Sequence, residues 1–565
     1  MHYAELRQAR EELTGPGGQF EVIEADILGN RIRTYKNAPP SVREFWLASA
    51  AFAERTYQVY QDERMTYADA HRQTTAIAAW LFDQGLRPGD RVAIAMRNYP
   101  EWMLAYWACA SVGIAAVGMN AWWTPDEMDY ALRDSAPKVL ICDAERLDRF
   151  RQCPDLAGTI PLVGVRLAEM PADVTPWADV IAHPGALPDV TVDPDSDASI
   201  FYTSGTTGFP KGAQLTHRGC VANLVNLLYA GASNAMAMER ATGEAPPADP
   251  PPPVTLLTTP LFHVTANNCG AYAATALGGT LVLMYRWDAG EALRLIEREK
   301  VTGMSGVPIM AREVINHPDF AKTDTTSLLS LSGGGAQVPP DQVLEIDARV
   351  PTARPTTGYG MTETCGVITS VGGDFFTDRP DSAGPALPNF ETRLVGDDGK
   401  DVAPGEAGEL WVRGSSVIRG YINRPEATAE AITDGWLHTG DVARIDEDGF
   451  IYLVDRKKDI IIRGGENVSC TEVEASVYRH AAVAECCVFG VADDRMGEEI
   501  AVAVVLKSDA ALDEAALQAH CAAHLARHKV PRFVRFFTDP LPRNASGKFL
   551  RRDLRDLFAG ETTEA

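Results

Sequence analysis

The sequence predicts an α/β protein with a large domain followed by a small one, and three observations carry that prediction. The 565 residues exceed the size, roughly 250–300 residues, at which one hydrophobic core stops growing. From Tyr67 onward, segments with helical spacing of apolar residues alternate with short β-prone runs, which argues for helices packed on a largely parallel sheet. Beyond the charged run Asp455–Asp459, DRKKD, the chain starts afresh with its own small α/β pattern of about 100 residues, a common domain size. The boundaries read from this are a large domain over 1–454, a connector over 455–458 and a small domain over 459–565.

Taken in order, Tyr67–Gln84 places Ala70, Ala76, Ala79 and Leu81 at helical spacing and closes at Gly85. Arg91–Met96 reads as a strand, Trp102–Val112 as an apolar helix and Ile114–Met119 as a strand. Glu127–Asp134 is helical again, and Lys138–Cys142 is a strand. The rhythm returns over Thr255–Leu283 and Glu291–Val307. Glu244–Pro253, EAPPADPPPP, breaks it. So many prolines suit neither helix nor central strand, and an exposed loop is expected, a surface insertion before a substrate-gating lid. Past DRKKD come a helix from Thr471, strands over Ala484–Phe489 and Ile500–Leu506, and a helix over Asp513–Ala526. His520, His524 and His528 recur every four residues on that last helix. No carboxylate or cysteine completes a ligand set there, and no metal is assigned to them.

One stretch carries more chemistry than any other. Tyr202–Gly212 reads YTSGTTGFPKG between two β-prone steps, Ala198–Tyr202 and Ala213–Leu215, so strand, small-residue loop and strand fit it better than a helix. Gly205 and Gly208 let backbone N–H groups turn toward an anion. Thr203, Ser204, Thr206 and Thr207 add hydroxyl donors, and Lys211 adds a full positive charge. Such a loop suits a polyphosphate. It is not the Walker pattern, because Pro210 stands where that pattern needs its second glycine. A plain flexible linker would need neither the flanking strands nor the Pro-Lys-Gly exit.

This loop resembles the phosphate loop of the adenylate-forming superfamily, which comprises acyl-CoA synthetases, luciferases and peptide-synthetase adenylation domains. Further motifs follow in that family's order as far as Lys548. Pro260–His263, PLFH, is similar to the acyl-pocket motif, which implies that His263 borders the acyl carboxylate; alone, a histidine after an apolar run is an ordinary core residue. Histidine there also speaks against amino-acid substrates, for which relatives carry an aspartate in this region. Ser332–Ala336, SGGGA, resembles the segment beside the adenine and under the acyl group. Its three glycines keep side chains away from a flat base, which the resemblance sets beside Gly334, Gly335 and Ala336. Thr356–Thr364, TTGYGMTET, is the most specific match. The resemblance implies that Tyr359, between Gly358 and Gly360, stacks on adenine, that Thr362 binds the α-phosphate and that Glu363 holds Mg²⁺. The residue types suit those tasks: a flat aromatic for a base, a hard carboxylate for Mg²⁺.

Trp436–Asp441, WLHTGD, resembles the ribose-binding segment, with Asp441 accepting the two hydroxyls and Arg456 as a second ribose contact. A turn-capping aspartate is the plain alternative. The family's interdomain hinge lies two residues after that arginine, here at Lys458. Gly464 and Gly465, in GGEN, match the small-domain loop that faces the active site during thioester formation and can admit a pantetheine arm. Pro542–Lys548, PRNASGK, ends in what the resemblance makes the catalytic lysine. Lys548 would bridge the carboxylate and the α-phosphate as charge shifts in the transition state. The implied fold is a large multi-subdomain N-terminal α/β domain with a small mobile C-terminal α+β domain.

Composition narrows the class further. With 45% hydrophobic and 23% charged residues the chain is neither disordered nor fibrous. A net charge of −25 argues against a nucleic-acid partner, yet leaves room for ATP where Mg²⁺ and nearby lysines set the local field. Ten scattered cysteines without a Cys-x-x-Cys pair, a charged N-terminus and no apolar run near the roughly 18 residues of a membrane span lead to the expectation of a soluble cytoplasmic protein with free thiols.

The resemblance implies an ATP- and Mg²⁺-dependent acyl-CoA synthetase. ATP converts a carboxylic acid, a poor electrophile, into an acyl-adenylate and pyrophosphate; the thiolate of CoA then displaces AMP. A medium- or long-chain fatty acid is the first expectation and an aryl or arylpropenoic acid the second. Luciferase-like oxidation and transfer to a carrier protein rank lower. From a different class, a non-catalytic nucleotide-binding regulator could keep the fold but need not keep Glu363 and Lys548 together. A homodimer and peripheral membrane contact are compatible with the sequence.

Overall fold

Short apolar strands alternating with capped helices build two mostly parallel sheets. The computed structural model describes all residues except 1, 154, 157, 204–209, 246, 248–249, 465, 494, 509, 544–548 and 560–565, with 332 and 467 described in their main chain alone. The chain divides into two compact units, Met1–Thr392 with Val412–Leu437, and Arg393–Trp411 with His438–Ala565.

In the first unit, one sheet has seven strands in the spatial order Lys211–Thr216, Asp197–Thr203, Ala115–Gly118, Arg91–Ala95, Val139–Asp143, Leu162–Val165 and Val174–Pro176. Its strands are parallel apart from the antiparallel edge pair that flanks the phosphate-loop motif. The other has eight strands, ordered Gly366–Gly372, Arg354–Met361, Ser330–Gly334, Gly303–Gly306, Val254–Leu257, Thr280–Leu283, Thr56–Tyr60 and Glu63–Thr66. Only its two edge strands run antiparallel.

Helices begin where the sequence supplies caps. Thr66 and Asp69 cap each other at the start of Tyr67–Asp83, and Thr124 and Glu127 do so for Pro125–Ser135. Pro100–Ser111 is buried on all sides, Trp102, Tyr106 and Trp107 included, which accounts for its unbroken apolar run. Thr216 caps His217–Thr242, a helix of 26 residues that ends on Gly243. The described residues of 244–253 lie outside helix and strand and are exposed apart from Pro253. All ten cysteines are free thiols, nine of them buried. Among the described residues no helix is long and apolar enough to cross a membrane.

The second unit holds a five-stranded sheet. Glu466–Val468, Ile461–Arg463, Gly497–Leu506 and Val483–Asp493 are neighbours in that order, and Phe533–Phe537 joins Gly497–Leu506 in parallel. Cys470–Tyr478 and Glu514–Ala522 supply helices whose apolar sides share its core. The helix expected over Asp513–Ala526 is shorter than that. His524 N–H and Leu525 N–H both turn back to the Cys521 carbonyl, tightening and closing the last turn, and His528 falls in a separate turn, Arg527–Lys529. The three histidines therefore do not share one helix face.

A half-buried ion cluster ties this unit together. Arg551 donates to Asp459 Oδ2 at 3.2 Å, to Glu474 Oε1 at 2.9 Å and to the Val488 carbonyl at 3.1 Å. Burial pushes the Glu474 carboxyl above its usual range, and the Arg551 charge pulls it back. Arg551→Met is expected to destabilise this unit by about 2 kcal/mol, because it leaves a half-buried carboxylate without its cation. Urea unfolding followed by circular dichroism measures it; an unchanged midpoint would contradict the role given to the cluster.

Candidate active site

Both sheets of the first unit deliver their carboxyl ends to the loop around His263. Ligand sites of parallel α/β sheets form at such ends. Val254–Leu257 runs into Thr258–His263, where the Thr258 hydroxyl donates to the Ser305 carbonyl at 2.7 Å. From the other sheet, Asn98 donates Nδ2–H to the Thr259 carbonyl and accepts the Leu261 N–H, both at 2.9 Å. Gly118, ending its strand, lies against Phe201 and Phe262. His263 is half-buried beside Phe262, their rings 4.8 Å apart.

The glycine-rich motifs lie side by side. Gly306 pairs with Gly333, and Gly334 with Gly358, so these strand ends are level. Gly335 and Ala336 are exposed, and Gly358, Tyr359, Gly360 and Thr362 are half-buried. Tyr359 sits opposite Thr369, whose hydroxyl accepts its N–H at 3.3 Å. The result is a surface poor in side chains with one aromatic ring on it, a platform on which a flat base can lie.

Thr203 and Lys211 pair directly across the antiparallel edge strands, so the phosphate-loop motif is the connection of a hairpin. Ser204, Gly205, Thr206, Thr207 and Gly208 lie outside the described residues. Lys211 Nζ stands 5.1 Å from the centre of the Tyr421 ring, and the Tyr421 hydroxyl donates to Glu363 Oε1 at 2.8 Å. Glu363 is 8% exposed. Burial, and then the Glu363 carboxylate, push the Tyr421 phenol well above its usual range, so it remains a donor. The sequence reading missed Tyr421. The signal available was RGYINRP, an aromatic residue set just after a glycine and before a helix-starting proline.

Directly after His263 the chain forms a π-helical turn, Thr265–Ala271, a form concentrated at functional sites. It sets Asn267 and Asn268 against Asn223 of the long helix, three fully buried amides. Asn267 donates to Asn268 Oδ1 at 2.9 Å, Asn268 to the Cys365 carbonyl at 3.0 Å, and Asn223 to the Asn268 carbonyl at 3.1 Å. Asn223 Oδ1 also accepts the Val367 N–H at 2.9 Å. This network pins the chain on the far side of Glu363 to the long helix.

The remaining sequence-predicted residues belong to the second unit. Asp441 and Arg456 face each other in an antiparallel pair, Arg456 Nε lying 3.2 Å from Asp441 Oδ1. Asp441 N–H donates to Thr439 Oγ1. Lys458 is exposed, in a turn closed by bonds from Asp459 and Ile460 N–H to the Arg456 carbonyl. Partial desolvation by the surrounding chain, reinforced by the Arg456 charge, lowers its pKa. Gly464 opens the turn between Ile461–Arg463 and Glu466–Val468 at φ +61°, a left-handed conformation that favours glycine. Gly465 and Lys548 lie outside the described residues.

In the first unit, then, a cation, a carboxylate, two threonine hydroxyls and a side-chain-poor platform sit at the carboxyl ends of two sheets. That set can bind a nucleoside triphosphate together with a hard cation. Comparison with known proteins agrees. Residues 45–422 match the AMP-binding enzyme family and residues 472–548 its C-terminal domain. A feruloyl-CoA synthase of Amycolatopsis sp. is 38% identical over 499 residues, 87% of this chain and 94% of that protein. A long-chain-fatty-acid–CoA ligase of Salmonella typhimurium is 34% identical over 550 residues, covering 92% of this chain and 95% of that protein. Among solved structures, the o-succinylbenzoate CoA synthetase of Bacillus subtilis in complex with its acyl-adenylate intermediate superposes with a TM-score of 0.76 at 28% identity, covering 91% of this chain and 98% of that one. The chain belongs to the AMP-binding enzyme family, as an AMP-forming acid–CoA ligase.

Proposed function

We propose that the protein makes the CoA thioester of a compact aromatic acid of the arylpropenoic class, with Mg²⁺ assisting ATP. The aromatic neighbourhood of His263 carries this reading: the Phe262 ring lies 4.8 Å from it, and Trp122 packs edge-on against Phe262 at 5.4 Å, surroundings suited to a flat aryl group. The feruloyl-CoA synthase among the relatives supports it. In this assignment Lys211 and Thr362 receive phosphate oxygens, Glu363 holds Mg²⁺, Tyr359 stacks on adenine and His263 borders the acid carboxylate. Asp441 and Arg456 are assigned to the ribose. Lys458 is the pivot between half-reactions, Lys548 serves adenylation, and the Gly464–Gly465 loop serves thioester formation.

A medium- or long-chain fatty acid is the second reading, favoured by the ligase from Salmonella typhimurium. Acid-dependent pyrophosphate release across ferulic acid, other cinnamic-type acids and straight-chain acids separates the two. The expected result is kcat/KM roughly 10²-fold higher for arylpropenoic acids than for straight-chain acids. Faster turnover of fatty acids would reverse the order of the readings.

A further inference from the structure

Lys211 and Glu363 meet the same tyrosine at different groups. Tyr421 offers its ring face to the ammonium at 5.1 Å and its hydroxyl to the carboxylate at 2.8 Å. Its main chain is fixed to the strand that carries Lys211. Ala213 bridges Tyr421, Gln214 N–H donates to the Gly420 carbonyl at 2.9 Å, and Ile422 N–H to the Gly212 carbonyl at 2.8 Å. Tyr421 N–H donates to Thr428 Oγ1 at 2.9 Å. Gly420 has φ +155°, and a Cβ there would meet Thr428 Cγ2 at 2.7 Å, so the approach of these two segments depends on that glycine. On the other side, Ile418 N–H donates to the Glu363 carbonyl at 3.0 Å. One short segment thus fixes the position of both charged groups.

We infer that Tyr421 is a positioning residue that keeps Lys211 and Glu363 apart and separately oriented, so that one remains available to phosphate and the other to a divalent cation. A lysine and a glutamate that meet the same side chain in a half-buried site would, without it, be free to pair with each other, and each would lose its charge as a ligand contact. The ring occupies the lysine without neutralising it. The hydroxyl fixes the rotation of the carboxylate without carrying a charge of its own, the role that outer partners of metal ligands play. This rests on the proposed assignment of Glu363 to the metal, and it adds that a residue touching neither metal nor nucleotide sets the affinity for both.

Two substitutions take the two interactions apart. Tyr421→Phe keeps the ring face and loses the hydroxyl; Tyr421→Leu loses both. Mn²⁺ titrated by electron paramagnetic resonance with α,β-methylene-ATP present follows the carboxylate, and calorimetry of the same nucleotide without metal follows Lys211. Tyr421→Phe is expected to weaken Mn²⁺ about 10-fold and to leave metal-free nucleotide binding unchanged, whereas Tyr421→Leu weakens both. Glu363→Gln should weaken Mn²⁺ at least as much, and Tyr421→Phe added to it should do no more. If the phenylalanine variant, with a wild-type thermal midpoint, binds Mn²⁺ as the wild type does while Glu363→Gln does not, the positioning role is overturned. If Glu363→Gln also binds Mn²⁺ normally, the metal assignment falls first and this inference with it. Should the phenylalanine variant not fold, the leucine variant supplies the metal comparison, with each protein saturated with the nucleotide.

Discussion

Lys548→Ala is expected to lose at least about 10²-fold in acid-dependent pyrophosphate release while still converting supplied acyl-adenylate and CoA to thioester. The proposed task of Lys548 is confined to the first half-reaction. There the carboxylate attacks the α-phosphorus and negative charge accumulates between the two reacting groups. A lysine ammonium is a compact charge on a flexible stem, suited to bridging oxygens that move as the bond forms. In the second half-reaction the thiolate attacks a carbonyl already activated by AMP, and no α-phosphate bond forms. A selective loss is therefore predicted. Equal loss in both halves, in a variant with normal thermal unfolding, would show that Lys548 is not specific to adenylation.

Glu363→Gln is expected to lower adenylation by about 10²-fold or more at ordinary Mg²⁺, with folding intact. The amide keeps the shape of the side chain, and its Oε1 can still accept from Tyr421, so the fold around residues 362–366 has no reason to change. What it loses is the negative charge that a hard cation needs. Raising Mg²⁺ should recover part of the rate, visible as a shifted half-saturation in pyrophosphate release. Full activity at ordinary Mg²⁺ would remove the metal assignment.

Much of this arrangement was legible because local patterns happen to agree with the final fold. The alternation from Tyr67 to Cys142 follows from apolar spacing that only a helix-on-sheet packing satisfies, and the structure places strands at Arg91–Ala95, Ala115–Gly118 and Val139–Asp143 accordingly. The phosphate-loop hairpin was legible from its glycines and its β-prone flanks. Tyr421 was not. Its function depends on Ala213 and Glu363, both far away in the chain, and nothing local to RGYINRP reports either contact. The same holds for Asn223, Asn267 and Asn268, which look like surface amides until the long helix and the π-helical turn bury them together. The last helix near His524 was overextended because alanine-rich spacing continues past the point where hydrogen bonds back to Cys521 close the turn.

A single-turnover experiment on the unmodified protein tests the central claim most directly. Enzyme in excess is mixed with Mg²⁺, ATP and ferulic acid without CoA, and CoA is added afterwards. The account predicts close to one equivalent of pyrophosphate before CoA is present, acyl-adenylate held on the protein, and thioester with AMP in equal amounts once CoA arrives. Release of ADP and phosphate instead, or no nucleotide cleavage with any carboxylic acid by a folded protein, would contradict it.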